Sequence, residues 1–220
     1  TPLNNPPTTI IPADTTYTWT VVDNPNVVGD LDETDPQTDI SHALINLTNI
    51  VQTVIYTVTP TSGADGFCVG EVFTVTVQVN PEPVIQPVNF GAICSGTAFT
   101  VIPTNDGGSS LSDIVPVNTA YTWTVVDANG FVTGYSDEAT GQTSISQTLT
   151  NTSIVTQTVV YTVTPTSGAQ GNCEGLPFTI SVDVDPRPIM DPIDPQTICG
   201  GTAFTTPVLG ADVAGTDYNW

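Results

Sequence analysis

Phe178-Thr-Ile-Ser-Val-Asp-Val-Asp185 decides the fold class. Phe178, Ile180, Val182 and Val184 alternate with Thr179, Ser181, Asp183 and Asp185. A period of two sends successive side chains to opposite faces of a strand, apolar inward and polar outward. Phe73-Thr-Val-Thr-Val-Gln-Val-Asn80 repeats the pattern, as does Tyr121-Thr-Trp-Thr-Val125. Thr and Val dominate these runs, and β-branched side chains fit a pleated surface. No stretch has convincing helical spacing. The chain therefore reads as all-β.

Working outward, the segments recur. Tyr17-Thr-Trp-Thr-Val-Val-Asp23 returns as Tyr121 to Asp127, 104 positions on. Tyr56-Thr-Val-Thr-Pro-Thr-Ser-Gly-Ala64 returns as Tyr161 to Ala169, 105 positions on, and Ile93-Cys-Ser-Gly-Thr-Ala-Phe-Thr100 as Ile198 to Thr205, again at 105. The one-residue difference falls between Asp23 and Asp32, in a loop. Asp217-Tyr-Asn-Trp220 starts a third Tyr-x-Trp segment. The expected division is residues 1–83, an N-terminally truncated repeat; 84–188, a complete repeat; and 189–220, the start of a third. On this reading the 220 residues are a window on a longer array.

The complete repeat predicts strands at about 86–93, 97–104, 120–127, 130–134, 143–150, 157–166 and 176–185. Asn129-Gly130 marks a hairpin, and Ser167 to Gly175, with three glycines, marks a long loop. Asn80-Pro-Glu-Pro83 and Asp185-Pro-Arg-Pro188 read as short stiff linkers. About 100 residues, seven short strands and one inner Trp per copy predict immunoglobulin-like β-sandwiches in tandem, arranged as an elongated array. Trp123 takes the core position, and Tyr161 is placed to make a tyrosine corner.

Charge excludes whole classes of function. One Lys or Arg stands against 22 Asp or Glu, giving a net charge of −21. A single cation cannot neutralise a phosphate track, so nucleic acid is not a partner. An anionic membrane surface is an equally poor one. No apolar run reaches the roughly 18 residues of a membrane span, so membrane insertion is not expected. Disorder is not expected either, with 39% of residues hydrophobic and only 10% charged. No Gly-x-Ser-x-Gly, phosphate loop or dinucleotide fingerprint appears, and no enzyme activity or cofactor is expected.

The pattern Cys-Ser-Gly, Tyr-Thr-Trp-Thr, Tyr-Thr-Val-Thr-Pro-Thr, Gly-Asn-Cys-Glu-Gly and Phe-Thr-Ile-Ser-Val-Asp-Val-Asp-Pro-Arg-Pro resembles the PKD-like repeats. Such repeats occur in giant secreted surface proteins of Bacteroidota, including gliding-motility adhesins exported by the type IX system. The resemblance covers essentially the whole chain. It implies a non-catalytic stalk or filament on the cell surface. The implied partners are neighbouring repeats of the same chain, together with surface glycans or other filament chains. Two other readings remain: a glycan- or matrix-binding module assisted by calcium, and accessory domains of a secreted hydrolase.

Candidate chemistry is sparse. Cys68 and Cys173 are period-mates, as are Cys94 and Cys199. No Cys-x-x-Cys pair suggests a metal, so an oxidising setting and disulfides are expected. Within one copy the pair is Cys94–Cys173. Strict immunoglobulin strand order instead places these two at opposite ends of one sandwich and sends Cys94 to the loop of the following copy. Either way Cys68 and Cys199 pair outside the chain. Asp30, Asp32, Glu33, Asp35 and Asp39 crowd one loop and are candidate calcium ligands, against the plainer reading of a solvated acidic loop. His42 is expected at the surface. Asn46-Leu-Thr48 and Asn151-Thr-Ser153 are sequons, expected to be unmodified. Asp14-Thr15-Thr16 resembles the Asp-Ser/Thr-x signal for O-linked glycans in Bacteroidota, which makes Thr15 a candidate. Tyr17, Trp19, Phe99, Tyr121 and Trp123 could form a sugar-stacking platform, but their periodicity favours the core.

Overall fold

A computed structural model describes residues 9–105, 113–127, 129–169, 171–205 and 209–219. Fourteen strands and no helix occur among them. By internal contacts the chain forms two compact units. The first is Thr1–Val84 with Thr104–Thr119 and Thr166–Gly175; the second is Ile85–Pro103 with Ala120–Pro165 and Leu176–Trp220.

The complete repeat carries eight strands. These are β7 (Val88–Cys94), β8 (Thr97–Val101), β9 (Ala120–Asp127), β10 (Val132–Thr133), β11 (Glu138–Gln142), β12 (Ile145–Asn151), β13 (Gln157–Thr166) and β14 (Phe178–Asp185). One sheet has the order β11-β9-β13-β14-β7 and the other β10-β12-β8. β7 runs parallel to β14, whereas the other pairs are antiparallel. β7 and β8 are joined by Ser95-Gly96 alone, yet lie in different sheets. Gly96 takes a φ of +79° there, a value that glycine reaches without penalty.

The alternating residues of β14 meet the core as the sequence requires. Phe178, Ile180, Val182 and Val184 are all buried, beside Val159, Tyr161 and Val163 of β13, and Phe99 of β8 packs on Tyr161. Proline sets two strand starts. β7 begins at Val88 because Pro87 has no N–H for the ladder, and β14 begins at Phe178 after Pro177. β11 was not foreseen. Glu138-Ala-Thr-Gly-Gln142 shows no alternation, and it pairs with β9 through an irregular register. The strand expected at 130–134 shrinks to the two residues of β10.

The first repeat has β1 (Thr16–Val21), β2 (Val27–Val28), β3 (Glu33–Gln37), β4 (Ile45–Asn46), β5 (Gln52–Thr61) and β6 (Phe73–Val79). Its sheets are β3-β1-β5-β6 and β2-β4. Tyr17, Trp19, Val27, Val54, Tyr56 and Val58 form its core. Phe73, Val75, Val77 and Val79 are only half-buried, unlike their period-mates on β14. In the complete repeat β7 covers the edge of β14 and Phe99 fills the space beside Tyr161. Among the described residues nothing plays that part for β6. A cavity of about 470 Å³ lies there instead, lined by His42, Tyr56, Phe73, Val75 and Val77 among others.

Of residues 189–219, the described ones form one isolated bridge, Met190 to Ala211, and a turn at Cys199–Thr202. Trp220 lies outside the described residues.

Candidate functional residues and the family they indicate

The acidic loop is built from carboxylates that hold backbone. Asp30 is buried and its Oδ2 accepts the N–H of Asn24 at 2.8 Å. The Oδ1 of Asp32 accepts from Val21 at 2.7 Å, and Oε1 of Glu33 accepts from Asp35 at 2.9 Å. Asp35 and Asp39 are exposed. Among the described residues no three His, Cys, Asp or Glu side chains converge as a set of metal ligands. The same arrangement recurs one period on: Asp137 accepts from Val125 at 2.8 Å, and Glu138 from Thr140 at 2.8 Å. Local side-chain acceptors of this kind hold the backbone at the starts of β3 and β11.

The sequons are likewise structural. Asn46 and Asn151 are both 7% exposed. The Nδ2 of Asn151 donates to the carbonyls of Val155 (2.7 Å) and Val184 (2.8 Å). Its Oδ1 accepts from the N–H and the hydroxyl of Ser153, each at 2.8 Å. Asn46 makes the same four bonds, to Ile50, Val79 and Thr48. The backbone N–H of the third sequon residue closes an Asx turn and its hydroxyl reinforces it, while the amide that a glycan would need is engaged inside the protein.

Thr15 is half-exposed, and its hydroxyl donates to the carbonyl of Pro12 at 2.8 Å. Thr119 does the same with Pro116 at 2.7 Å while buried. This hydroxyl thus closes the turn before β1 and before β9. Tyr17, Trp19, Phe99, Tyr121 and Trp123 are all buried, so they belong to the cores.

His42 departs from expectation. It is half-buried rather than at the surface, with its ring 5.3 Å from Trp19 and 5.9 Å from Tyr56. Among the described residues its Nδ1 and the Tyr56 hydroxyl are buried and find no hydrogen-bond partner. One period on, Tyr161 donates to Oε1 of Gln147 at 2.9 Å, and Gln147 also bonds Ser136. The Tyr161 hydroxyl therefore meets a side chain of β12, not the upstream backbone that a tyrosine corner would use. Sequence reading missed Gln147; its signal was that its period-mate was the only histidine.

Burial pushes the phenol of Tyr161 well above its ordinary value near 10. Burial, with the charge of Asp30 second, raises Tyr56 also. A raised phenol keeps its proton in the folded state while the unfolded chain loses it. The stability contribution is thus complete below about pH 10 and lost as the pH climbs past it. Urea unfolding of repeat two followed by hydrogen exchange from pH 8 to 11 checks this. The midpoint should fall above pH 10, and Tyr161→Phe should flatten most of that fall.

The Cys94–Cys173 bridge is not formed, and all four cysteines are free thiols in this structure. The strand register gives the reason. Parallel pairing sets Cys94 opposite Asp185, the last residue of β14. Cys173 precedes the first residue of that strand, Phe178. Eight strand residues at about 3.3 Å each span more than 20 Å, whereas a disulfide joins Cα atoms no more than about 7 Å apart.

Two copies of one hydrogen-bonding scheme, on the same strand order, are now in place. The sequence model of the PKD-like domain matches residues 1–83 and again residues 91–188. The chain belongs to the PKD-like domain family. Domains of this family are generally extracellular and typically non-catalytic. No curated protein matches the chain. Among the described residues no helix is long and apolar enough to cross a membrane. The PKD-like match accords with the repeated bonds of Asp32 and Asp137, Glu33 and Glu138, Thr15 and Thr119, and Asn46 and Asn151 in the two copies.

Proposed function

We propose that this chain is a structural region of a large secreted bacterial surface adhesin, serving attachment or gliding by carrying other parts of the protein. One observation supports this most. Asp32 and Asp137, Glu33 and Glu138, Thr15 and Thr119, and Asn46 and Asn151 make the same bonds in both copies. What the array repeats is the support of backbone, with polar groups directed at their own domain. A recognition surface would instead set one copy apart. The acidic composition favours solubility and keeps neighbouring chains apart.

The test replaces this region, in its host protein, with the same number of unrelated immunoglobulin-like sandwiches. A supporting role predicts that attachment persists. Loss of attachment with normal export would overturn it in favour of direct glycan or matrix binding. Calcium is tested separately. The melting temperature should stay within about 1 °C when EDTA is added, because Asp30, Asp32 and Glu33 already hold backbone N–H groups. A fall of several degrees that calcium restores would reinstate the acidic loop as a site.

A further inference from the structure

In the complete repeat the turn Cys94-Ser95-Gly96 is seated between β12 and β14. Cys94 faces Asp185, and the N–H of Ser95 donates to the Asp185 carbonyl at 2.9 Å. The N–H of Gly96 donates to Leu149 at 2.7 Å, and the hydroxyl of Ser95 to Asn151 at 3.3 Å. One period upstream, the residues matching this seat line a cavity of about 390 Å³, among them Leu44, Asn46, Val79 and Asn80. These are the counterparts of Leu149, Asn151, Val184 and Asp185. The remaining wall of that cavity includes Cys173. All of these residues belong to the first compact unit.

The loop that carries Cys173 is held in place. The Ser167 N–H donates to the Cys173 carbonyl at 2.8 Å, and Asn172 donates to Ala169 at 3.1 Å. Gly171 has a φ of +102°, and a Cβ added there would lie 2.8 Å from Nδ2 of Asn80. Asn80 is the period-mate of Asp185, the residue that faces Cys94. The Cys68 loop has the same backbone bonds, from Ser62 to Cys68 at 3.0 Å and from Phe67 to Ala64 at 3.1 Å. A first-strand cysteine and a loop cysteine from the next repeat are thus both directed to one position.

We propose that in a run of these repeats the cysteine ending each first strand forms a disulfide with the loop cysteine of the repeat that follows. Cys94 supplies the first kind of thiol and Cys173 the second, each for a neighbour one repeat away. The oxidant is a small-molecule disulfide such as oxidised glutathione. The thiolate of one cysteine displaces one half of it, forming a mixed disulfide and releasing one thiol. The thiolate of the second cysteine then attacks the protein sulfur and releases the other thiol. Two protein thiols are oxidised, one disulfide is reduced, and the two protons pass to the departing sulfurs. The bridge does not depend on what the adhesin attaches to, so its failure would leave that reading untouched.

The test adds to this chain a synthetic peptide with the sequence of residues 86–101, in a buffer of oxidised and reduced glutathione. The peptide supplies the strand that β6 lacks, with its cysteine beside Asn80. Digestion without reductant and mass spectrometry locate the adduct. At least tenfold more peptide should be joined to Cys173 than to Cys68, Cys94 or Cys199. The contrast is demanding, because Cys173 is the partly buried thiol and the other three are exposed. Adducts spread over all four thiols, or favouring the exposed ones, would overturn the proposal. To remove any dependence on peptide affinity, the same segment is fused ahead of residue 1 through a flexible Gly-Ser linker. Free thiols should then fall from five to three, with Cys173 in the new bridge. Five free thiols, or a bridge elsewhere, would also overturn it.

Discussion

Asn151→Ala should cost repeat two about 4 kcal/mol of unfolding free energy. Four hydrogen bonds meet on this one side chain, and two of them tie the carbonyls of Val155 and Val184. Each such bond contributes about 1 kcal/mol net, and more where its loss leaves a buried partner unsatisfied. Val184 is the last core-facing residue of β14 and is fully buried, so water cannot easily replace the amide at its carbonyl. Urea unfolding with hydrogen exchange at the β14 amides measures the loss. Asn151→Asp keeps the acceptor but points a carboxylate at two carbonyls, so it should be at least as damaging. A loss under 1 kcal/mol would show that the clamp is dispensable.

Phe99→Ala should have a similar effect, about 4 kcal/mol, through a cavity. Phe99 is 1% exposed and packs 5.1 Å from the Tyr161 ring and 5.6 Å from Phe90. Its removal would leave repeat two resembling repeat one, where the space beside Tyr56 is already open. Hydrogen exchange should therefore report a lower unfolding free energy in β9, β13 and β14 and none in β1 or β5. Phe90→Ala removes a ring that is 38% exposed, and about 1–2 kcal/mol should suffice for it. Equal losses for the two would contradict the packing described.

The presence of the alternating strands was legible, and for two of them the bounds as well. Ala120–Asp127 and Gln157–Thr166 have the bounds that their patterns predict, because buried apolar faces fix both register and length. β11 was not legible, since its residues are held by pairing and not by burial. The roles of Asn46 and Asn151 were hidden behind the glycosylation motif that they spell. Only the closure of an Asx turn by the third residue distinguishes them. His42 was misplaced for a related reason: composition marks it as polar, while the strands around it set its ring between Trp19 and Tyr56. The cysteines show the limit of spacing arguments. A separation of 79 residues says nothing about which end of a strand each occupies; the parallel pairing of β7 with β14 does.

That pairing also determines how a repeat responds to force. β7 enters near the start of the domain and β14 leaves at its end, side by side and pointing the same way. Tension on the two chain ends slides one strand along the other, so the ladder from Val88 to Cys94 is loaded in shear. Its bonds must yield together, whereas an antiparallel hairpin pulled from its ends would unzip one bond at a time. Rupture under load follows the unfolding rate, not the equilibrium stability. Between these two strands, the domain resists extension at the point where tension enters and leaves it.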